Sequence, residues 1–472
     1  MGLRQLSPRV VVSVVFVAAL FVNILDTTIV NVALPTIAGQ FRVSPADADA
    51  VVVGYLLSLA LVIPASGWLG DRFGSKRVFL TALAIFTVAS ALCGLAQSLP
   101  QLVAFRLLQG LGGGMLAPVG LAMLYRVFPL AERMRAMRVL ILPTAVAPAM
   151  GPVLGGLLVD TLTWRWVFYV NLPVGVLTFL FGLFLLKEHR EPGAGRFDLA
   201  GFALSGFGFA LLMYALTEGS SRGWGSPSIL ITGALGVLLL TATVLVELRV
   251  PSPMLDLRLF SDRLFRTINV VQLVSTAGFL GTLFVFPLLY QAGLGVSAWQ
   301  TGLTTFPEAV GVLVGTQIAS RVYSTLGPRL HIVLGVVNAA VAMMLLTLLG
   351  PATPQWLAML IMFYLGLGMS NNFNPAQTAA FAQVPRASTG AASTLYNSGR
   401  QAGSAVGVAV LGSVLAAAGA GPGHLVGYHV AFAVAAGLMI AAAVAALFVK
   451  DGDAAATMAS PVRPEAAAEA VA

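Results

Sequence analysis

The sequence predicts an all-α polytopic membrane protein, and its composition and its hydropathy pattern carry that prediction. Of the 472 residues, 58% are hydrophobic and only 9% are charged, and the mean hydropathy is +0.92. Soluble domains carry about 25% charged residues, so a water-soluble globule does not fit this composition. The apolar residues form long continuous runs and not ten-residue alternations, which favours membrane-spanning helices over a β-barrel.

Fourteen transmembrane helices are predicted, because an apolar run of about 20 residues is long enough to cross a bilayer. They are expected at roughly 10–34, 46–69, 78–97, 100–124, 137–160, 164–186, 198–217, 227–248, 266–290, 299–320, 330–350, 354–378, 387–417 and 426–449. The first run is long and contains Asp26 and Asn31, so it is interpreted as a span and not as a cleaved signal peptide. The Ala-rich segment 451–472 is expected to be a disordered cytoplasmic tail.

The basic residues predict the orientation of these spans. With the N-terminus in the cytoplasm, 21 of the 26 Lys and Arg residues fall in predicted cytoplasmic segments, and only Arg42, Arg165 and Arg222 fall in outer loops. Positive charge collects on the cytoplasmic side of membrane proteins, so both termini are expected inside, in a multi-pass protein of the plasma membrane. The net charge of +8 is therefore interpreted as a topology signal, and no nucleic-acid partner is expected.

A short charged turn separates the second and third predicted spans, where residues 67–77 read GWLGDRFGSKR. Gly70 and Gly74 permit close helix approach or a turn with positive φ, and Asp71 can accept hydrogen bonds from nearby helix N–H groups or an arginine. The candidate residues of this loop are Gly67, Asp71, Arg72, Gly74 and Arg77. By spacing alone, an ordinary loop between helices explains the segment equally well. The residues resemble the signature loop of the major facilitator superfamily, which implies a secondary transporter with these five residues in a cytoplasmic gating loop.

A faint internal repeat supports that resemblance. Residues 320–329 align on residues 67–77 with Gly327 on Gly74, although Ser324 stands in the place of Asp71. The superfamily is built from duplicated bundles with the substrate site between them. The expected domains are a six-helix bundle at 1–186, two additional helices at 187–250 and a second six-helix bundle at 251–450. This arrangement resembles the fourteen-span drug:proton antiporter family.

Four charged residues are predicted inside the membrane: Asp26, Arg106, Glu308 and Arg400. A charge at the bilayer centre costs at least about 2.5–3.5 kcal/mol on insertion scales, so each side chain is expected to face the protein interior. A structural ion pair or a hydrogen bond between helices is the alternative to a role in transport.

Asp26 lies in the sequence LDTTIVNVALP at residues 25–35, and Asn23, Thr27 and Asn31 follow one another at four-residue spacing. These residues form one polar stripe along a helix. The stretch resembles the first-span signature of the fourteen-span antiporters, in which the acid is associated with proton coupling or with cationic substrates. The resemblance implies Asp26 as the first proton-coupling residue, with Asn23 and Asn31 as candidate substrate contacts.

Arg106 and Gln109 open the motif RLLQG at residues 106–110, which resembles the fourth-span motif of the superfamily. That motif's arginine is implicated in proton transfer, and Gln109 is a candidate substrate contact. Arginine stays charged, so Arg106 can act only by biasing a neighbouring carboxylate. The glycines that follow do not bind phosphate, because the chain contains no Gly-x4-Gly-Lys-Ser/Thr; an ATP-driven pump with its nucleotide site in this chain is excluded.

The fifth predicted span contains the sequence GPVLGG at residues 151–156. Pro152 removes a helix hydrogen bond, and Gly151 with Gly155 permits close packing, so a simple packing kink is one interpretation. Gly156 is the last residue of the motif. The segment also resembles the core of a motif characteristic of antiporters, although positions 138 and 147 lack the glycines of the longer pattern. The next stretch, WRWVFYVNLP at 164–173, resembles the fourteen-span family, and its aromatic residues are expected to anchor at the membrane interface.

The second half offers weaker candidates. Glu308 follows Pro307 about nine residues into its span, roughly 14 Å deep, and is the second candidate for proton or cation binding. Asn372, Asn374, Asn397 and Arg400 are candidate substrate contacts, although the Asn cluster also suits a solvated helix end and Arg400 suits a pair with an acid. Cys93 and the four histidines show no ligand spacing, so neither a metal nor another cofactor is expected.

These features predict a proton-coupled secondary transporter that exports drugs, antibiotics or other small amphipathic compounds by alternating-access antiport. Its expected partners are a small-molecule substrate, protons and the lipid bilayer, and a monomer is expected. A dedicated exporter of a single metabolite or lipid is the alternative within transport. A membrane sensor or enzyme would need a signalling domain or a catalytic constellation of His, Cys or carboxylate residues, and the sequence contains neither.

Overall fold

The computed structural model describes residues 6–43, 45–133, 146–191, 197–250, 253, 255–419 and 423–458, and all of its long elements are helices. These helices are labelled in chain order: α1 Pro8–Phe41, α2 Ala50–Phe73, α3 Ser75–Leu95, α4 Leu99–Val127, α5 Ala147–Thr161, α6 Asn171–Leu185, α7 Leu199–Arg222, α8 Pro227–Glu247, α9 Arg263–Leu288, α10 Ala298–Leu346, α11 Gln355–Ala380, α12 Thr389–Ala418 and α13 Val426–Ala446. Short helices lie at Pro45–Ala48, Trp166–Tyr169 and Ala455–Met458.

Twelve helices among the described residues are long and apolar enough to cross a membrane, so the prediction of fourteen is not confirmed. Part of the fifth predicted span, at 137–160, lies outside the described residues, and α5 itself has only 15 residues. The helix α10 counts once, although Gly327 has a non-helical backbone (φ 71°, ψ 163°) where two predicted spans meet.

Side-chain caps at their first residues explain where several helices begin. Ser7, Ser98, Asp262 and Ser297 each accept a hydrogen bond from a backbone N–H in the first turn of α1, α4, α9 and α10. The first N–H groups of a helix have no partner within the helix, and such caps satisfy them. Gly419, with φ 70°, ends α12 in the left-handed conformation that glycine adopts without strain.

The helices pack as two bundles, α1–α6 and α9–α13, with the hairpin of α7 and α8 beside them. A Cβ on Gly206 of α7 would lie 2.7 Å from the carbonyl oxygen of Leu61 in α2, so these two helices are in close contact. The indole Nε1–H of Trp224 donates to Ser413 of α12 at 2.6 Å. The hairpin therefore contacts both bundles.

The two halves break their helices at equivalent glycines. Gly74, between α2 and α3, has φ 102°, and Gly327, within α10, has φ 71°. Both conformations favour glycine over any residue with a Cβ. These are the two positions that the internal sequence repeat aligns with each other.

A carboxylate caps the helix that follows each of these glycines. Glu188, which follows α6, accepts hydrogen bonds from the backbone N–H groups of Lys76 at 3.0 Å and Arg77 at 3.3 Å. Asp451, which follows α13, accepts from the backbone N–H of Arg329 at 2.8 Å. In each bundle, the segment that follows the last helix thus stabilises the start of the helix that follows the glycine, Gly74 or Gly327.

The segment Asp451–Met458 is helical, so the prediction of disorder is wrong for these residues. Asp451 is held by its cap, and Thr457 is buried and shares a 2.8 Å hydrogen bond with the hydroxyl of Tyr323. Composition suggested disorder because it does not reveal such specific contacts. Residues 459–472 lie outside the described part of the chain.

Two glycines of the predicted antiporter motif bring α5 against α1. A Cβ on Gly151 would overlap the side chain of Thr28, and one on Gly155 would lie 3.1 Å from Ile29. Gly156 faces open space, with nothing within 4 Å of its Cβ position. Pro152 lies within α5, but its side chain is outside the described residues.

We expect Gly151→Ala to lower the midpoint of thermal unfolding in detergent by several degrees, because overpacking a tight contact costs about 1–3 kcal/mol. Gly156→Ala, on the same helix, is the matched control and should melt at the wild-type temperature. Equal midpoints for the two variants would contradict the described packing of α1 on α5.

Candidate functional site

A buried ion pair joins α1 and α4 in the first bundle. Arg106 Nη1 lies 2.5 Å from Asp26 Oδ2, and neither side chain is exposed. The guanidinium also donates from Nε to the carbonyl oxygen of Val51 at 3.1 Å and lies 4.2 Å from the centroid of the Tyr55 ring. An isolated buried charge is costly, and these contacts offset that cost for Arg106.

Two amide side chains complete the surroundings of Asp26. Gln109 Nε2 and Asn171 Nδ2 each donate to Asp26 Oδ1 at 2.9 Å. Gln109 Oε1 accepts from Arg106 Nη1 at 2.8 Å, which fixes the orientation of this amide because a guanidinium can only donate. Asp26 therefore accepts three N–H groups, an arrangement that suits an ionised carboxylate.

The helix α3 reaches this cluster through two small polar residues. Ser90 Oγ accepts from Asn171 Nδ2 at 3.1 Å and donates to the carbonyl oxygen of Phe168 at 2.9 Å. The Cys93 thiol contacts Gln109 Oε1 at 3.6 Å. Residues of α1, α3, α4 and α6 thus form one network, called here the Asp26 cluster and consisting of Asp26, Ser90, Cys93, Arg106, Gln109 and Asn171.

An apolar layer packs beside the Asp26 cluster, towards the end of the bundle that carries Trp164. Its buried members are Ile29, Val30, Ala33, Ile37, Val51, Cys93, Ala96, Leu102, Trp164, Val167 and Phe168. The ring of Trp164 is buried, and its indole Nε1–H donates to Gln40, an exposed residue near the end of α1. The prediction of interfacial anchoring is therefore wrong for Trp164, whereas Trp166 is exposed.

Sequence reasoning identified Asp26, Arg106 and Gln109, and the structure brings these three side chains together. It missed Asn171, although this residue stands in the motif at 164–173, where an uncharged amide among apolar residues was the available signal. Ser90 gave no comparable signal, because single small hydroxyl residues are common in apolar helices and often bond to their own backbone.

The other two candidates in α1 lie in different surroundings. Asn23 is buried and donates to the hydroxyl of Tyr55 at 2.9 Å, so it supports the ring against which Arg106 lies. Asn31 is exposed, and its amide donates to the Thr27 carbonyl oxygen at 3.3 Å. Of the two, only Asn31 offers an exposed side chain to a ligand in this conformation.

The three asparagine candidates of the second bundle use their amide groups within the protein. Asn372 donates to Ser275 at 2.9 Å and Asn374 to Thr316 at 2.7 Å. Asn397 donates to the backbone of its own helix, at the carbonyl oxygen of Ser393, at 2.9 Å. Asn374 is half-buried, whereas Asn372 and Asn397 are buried.

Glu308 and Arg400 are both half-buried, in α10 and α12. Within the described residues, neither side chain has an ion-pair or hydrogen-bond partner. One interpretation of the sequence had expected Arg400 to pair with an acid, and no such acid is found among the described residues. Both charges differ in this respect from Asp26 and Arg106, which neutralise each other.

The predicted gating loop lies at one end of the first bundle. This end is called here the Asp71 end. Asp71 Oδ1 pairs with Arg126 Nη2 of α4 at 2.5 Å. A Cβ on Gly67 would lie 2.7 Å from the carbonyl oxygen of Gly390, so α2 packs directly against the start of α12. Arg72 and Arg77 are exposed, and Arg77 Nε lies 3.6 Å from the Glu188 carboxylate.

Four hydrogen bonds join the two bundles on the side of the Asp71 end. They are Ser66 to Thr394 at 3.1 Å, Ser393 to the Pro118 carbonyl at 2.7 Å, Tyr125 to the Gln377 carbonyl at 3.2 Å and Arg133 to the Phe381 carbonyl at 2.6 Å. Burial lowers the pKa of Arg133 from its ordinary value, although its guanidinium lies 4.8 Å from the centroid of the Tyr125 ring. The bundles are therefore closed against each other at this end.

No group of three His, Cys, Asp or Glu side chains could hold a metal ion in the part of the chain that the structure describes. The polar groups of the Asp26 cluster bind one another, with a carboxylate and a guanidinium at the centre. The carboxylate is the acidic group whose protonation would change the charge of this site.

The fold and the site define a multi-pass helical membrane protein of the transporter class. The family profile described as Major Facilitator Superfamily matches residues 16–408. The chain belongs to the major facilitator superfamily, whose members bind small-molecule substrates in the lipid bilayer and are not enzymes.

Curated relatives point to the same family. An "Uncharacterized MFS-type transporter YhcA" of Bacillus subtilis (strain 168) is 33% identical over 394 residues, which cover 84% of this chain and 74% of that protein. A "Putative multidrug resistance protein MdtD" of Cronobacter sakazakii (strain ATCC BAA-894) is 36% identical over 393 residues, which cover 82% of each chain.

A solved structure shares the fold. The human organic anion transporter MFSD10 (TETRAN) superposes with a TM-score of 0.66, covering 94% of this chain and 100% of that one. The two sequences are 17% identical, so the likeness concerns the fold alone.

The reactivity of Cys93 tests the burial of the Asp26 cluster, because it is the only cysteine in the chain and is fully buried. We expect N-ethylmaleimide to alkylate Asp26→Ala at least about tenfold faster than wild type, since an unpaired buried Arg106 destabilises the cluster. The rates are measured by mass spectrometry on folded protein in detergent.

Glu218→Ala is the control for this measurement, because it removes the carboxylate of an ion pair with Arg222 within α7, outside the Asp26 cluster. Its alkylation rate should match that of wild type. A wild-type rate in Asp26→Ala as well would show that the ion pair does not hold the cluster closed.

Proposed function

We propose that the protein is a proton-coupled secondary transporter that exports drugs, antibiotics or other small amphipathic compounds by alternating-access antiport. The observation that carries this proposal is the fully buried Asp26–Arg106 pair within the first bundle. A carboxylate kept inside a membrane protein and balanced by a single guanidinium changes the net charge of that bundle when it takes up a proton.

Protonation of Asp26 leaves Arg106 with other partners. The guanidinium keeps its hydrogen bonds to Val51 and Gln109 and its position against the Tyr55 ring. Protonation removes the ion pair, which joins α1 to α4. Neutralising the carboxylate therefore weakens the attachment of α1 to α4, while Arg106 keeps its contacts with Val51, Gln109 and Tyr55.

The helix α4 connects this event to the closed end. It carries Arg106 in the cluster and, further along, the Pro118 carbonyl, Tyr125 and Arg126, which bind the second bundle or Asp71. A change in how α4 sits against α1 is transmitted along this helix to the Asp71 end. Alternating access then follows as the two bundles rock against each other.

The proposed orientation places the Asp71 end and both termini in the cytoplasm of a plasma-membrane protein with fourteen spans, acting as a monomer. The basic residues at this end, among them Arg9, Arg72, Lys76, Arg77 and Arg126, support that orientation. In this orientation, the described conformation is closed on the cytoplasmic side. The helix break at Gly327 supports counting α10 as two spans.

The export of drugs is supported by the names of relatives such as the MdtD proteins. In the second bundle, Glu308 and Arg400 have no protein partner among the described residues and remain available to charged groups of a substrate. Glu308 is the second proposed proton site. Protons entering from outside supply the driving force, since one charge moved through 100 mV yields about 2.3 kcal/mol.

We expect candidate drugs to collapse a pH gradient in inside-out vesicles that contain the wild-type protein, and we expect Asp26→Asn to abolish this response. Asparagine keeps the shape of the side chain but cannot take up or release a proton. The collapse is followed with a fluorescent pH indicator. Asp49→Asn, an exposed acid between two helices, is the matched control and should respond like wild type.

A collapse that persists in Asp26→Asn would remove Asp26 from the coupling and assign it to Glu308. A dedicated exporter of a single metabolite or lipid would give no response to any of a set of unrelated drugs in folded, vesicle-inserted protein. Either result would overturn a stated part of the proposal.

A further inference from the structure

The Asp26 carboxylate is surrounded by hydrogen-bond donors. Its hydrogen bonds in the described part of the chain come from Arg106, Gln109 and Asn171, and all three are N–H donors. A protonated carboxyl group carries an O–H that needs an acceptor. This arrangement offers none, and a buried hydroxyl without a partner is costly. Uptake of a proton therefore requires one of the three neighbours to change.

Two of the three neighbours cannot become acceptors without cost. Arg106 has only donors. If the Gln109 amide turned over, its NH₂ group would face the guanidinium, and Oε1 would point away from Arg106 and Cys93, with which it now interacts. These two side chains hold their orientation in both protonation states of Asp26.

Asn171 is different, because its acceptor is unused. Its Oδ1 atom is buried and has no hydrogen-bond partner among the described residues. Its Nδ2 atom faces both Asp26 Oδ1 and Ser90 Oγ. A half-turn of the amide places the oxygen where the nitrogen was and breaks no existing hydrogen bond of that oxygen. It gives up the two donations of Nδ2 and moves the NH₂ group to the side where Oδ1 now has no partner.

Ser90 can follow this turn. Its hydroxyl now accepts from Asn171 and donates to the Phe168 carbonyl oxygen. After the turn, the same hydroxyl rotates and donates to Asn171 Oδ1, beside the O–H of protonated Asp26. The orphaned oxygen then accepts two hydrogen bonds, and the neutral acid is satisfied.

We propose that Asn171, held by Ser90, is the positioning residue that adapts the Asp26 cluster to the protonation state of Asp26. The inference rests on the proposed function, because it takes Asp26 as the proton site. The ionised form is stabilised by Asn171 as donor and the protonated form by Asn171 as acceptor. Each proton taken up by Asp26 thus rearranges the hydrogen bonds between α1, α3 and α6.

The other titratable groups around Asp26 among the described residues are Arg106 on α4, Tyr55 on α2 and Cys93 on α3. The helix α6 carries no titratable side chain, and the described side chains of α5 carry none. Arg106 stays charged in both states. The pH dependence of the cluster is therefore assigned to Asp26, with Asn171 and Ser90 deciding how well each form is held.

Ser90→Ala tests the inference through the pH profile of drug-driven proton movement. The substitution removes two hydrogen bonds from the ionised state but only one from the protonated state. The variant therefore favours the protonated state, and the pH of half-maximal activity should rise by about 0.5–1 unit, which corresponds to one hydrogen bond.

Two variants control this measurement. Ser90→Thr keeps the hydroxyl and should restore the wild-type midpoint. Thr87→Ala removes a buried hydroxyl one turn away on α3, which donates only to the Leu83 carbonyl of its own helix, and should leave the midpoint unchanged. A general disturbance of α3 would move the midpoints of both alanine variants.

Asn171→Leu gives an independent test, since leucine fills a similar volume but neither donates nor accepts. We expect the maximal rate to fall at least about tenfold with an unchanged KM, because Asn171 is fully buried and its amide contacts Asp26 and Ser90. A wild-type rate would overturn the role of Asn171.

A wild-type midpoint in Ser90→Ala, while Asp26→Asn remains uncoupled, would overturn this inference and leave the proposed function intact. Proton coupling that survives in Asp26→Asn would instead overturn the proposed site itself. The two failures are therefore distinct.

Discussion

The cost of keeping a charged pair inside a membrane protein is the constraint on which the first bundle depends. Asp26 and Arg106 have no exposed surface, and the desolvation of two such charges rivals their attraction. The remaining cost is offset by hydrogen bonds from α2, α4 and α6 and by the Tyr55 ring. Well-packed apolar residues would stabilise the bundle as well or better, so function is the more economical explanation for this pair.

The position of the Asp26–Arg106 pair also connects the charged site to the contacts between the two bundles. Arg106 and Arg126 lie on one continuous helix, α4, and Arg126 pairs with Asp71 at the closed end. The glycines at 67 and 390 let the bundles meet there, and Gly74 and Gly327 turn the chain at equivalent places in the two halves. A single continuous helix therefore connects the Asp26 cluster with the contacts that close the protein.

The sequence was sufficient to predict the helical class, the charged turn at Gly74 and the inward-facing positions of Asp26 and Arg106, because charges in apolar runs and glycine-rich turns are strong local signals. It did not predict Asn171 or Ser90 as their partners, since contacts between distant helices leave no mark on either segment. The order of Asp451–Met458 was missed for the same reason. The number of spans stays a prediction, because length and composition alone do not separate two helices that meet at a kink.

The most direct test of proton coupling at Asp26 is the release of protons when substrate binds to purified protein. A transported drug is added to the protein in weakly buffered detergent solution at a series of pH values, and a pH indicator counts the protons released. If drug binding and protonation of Asp26 exclude each other, wild type releases protons when the drug binds, up to about one proton per protein molecule. Asp26→Asn then releases none. Equal release from both proteins would contradict the central claim, because the proton would then come from another group.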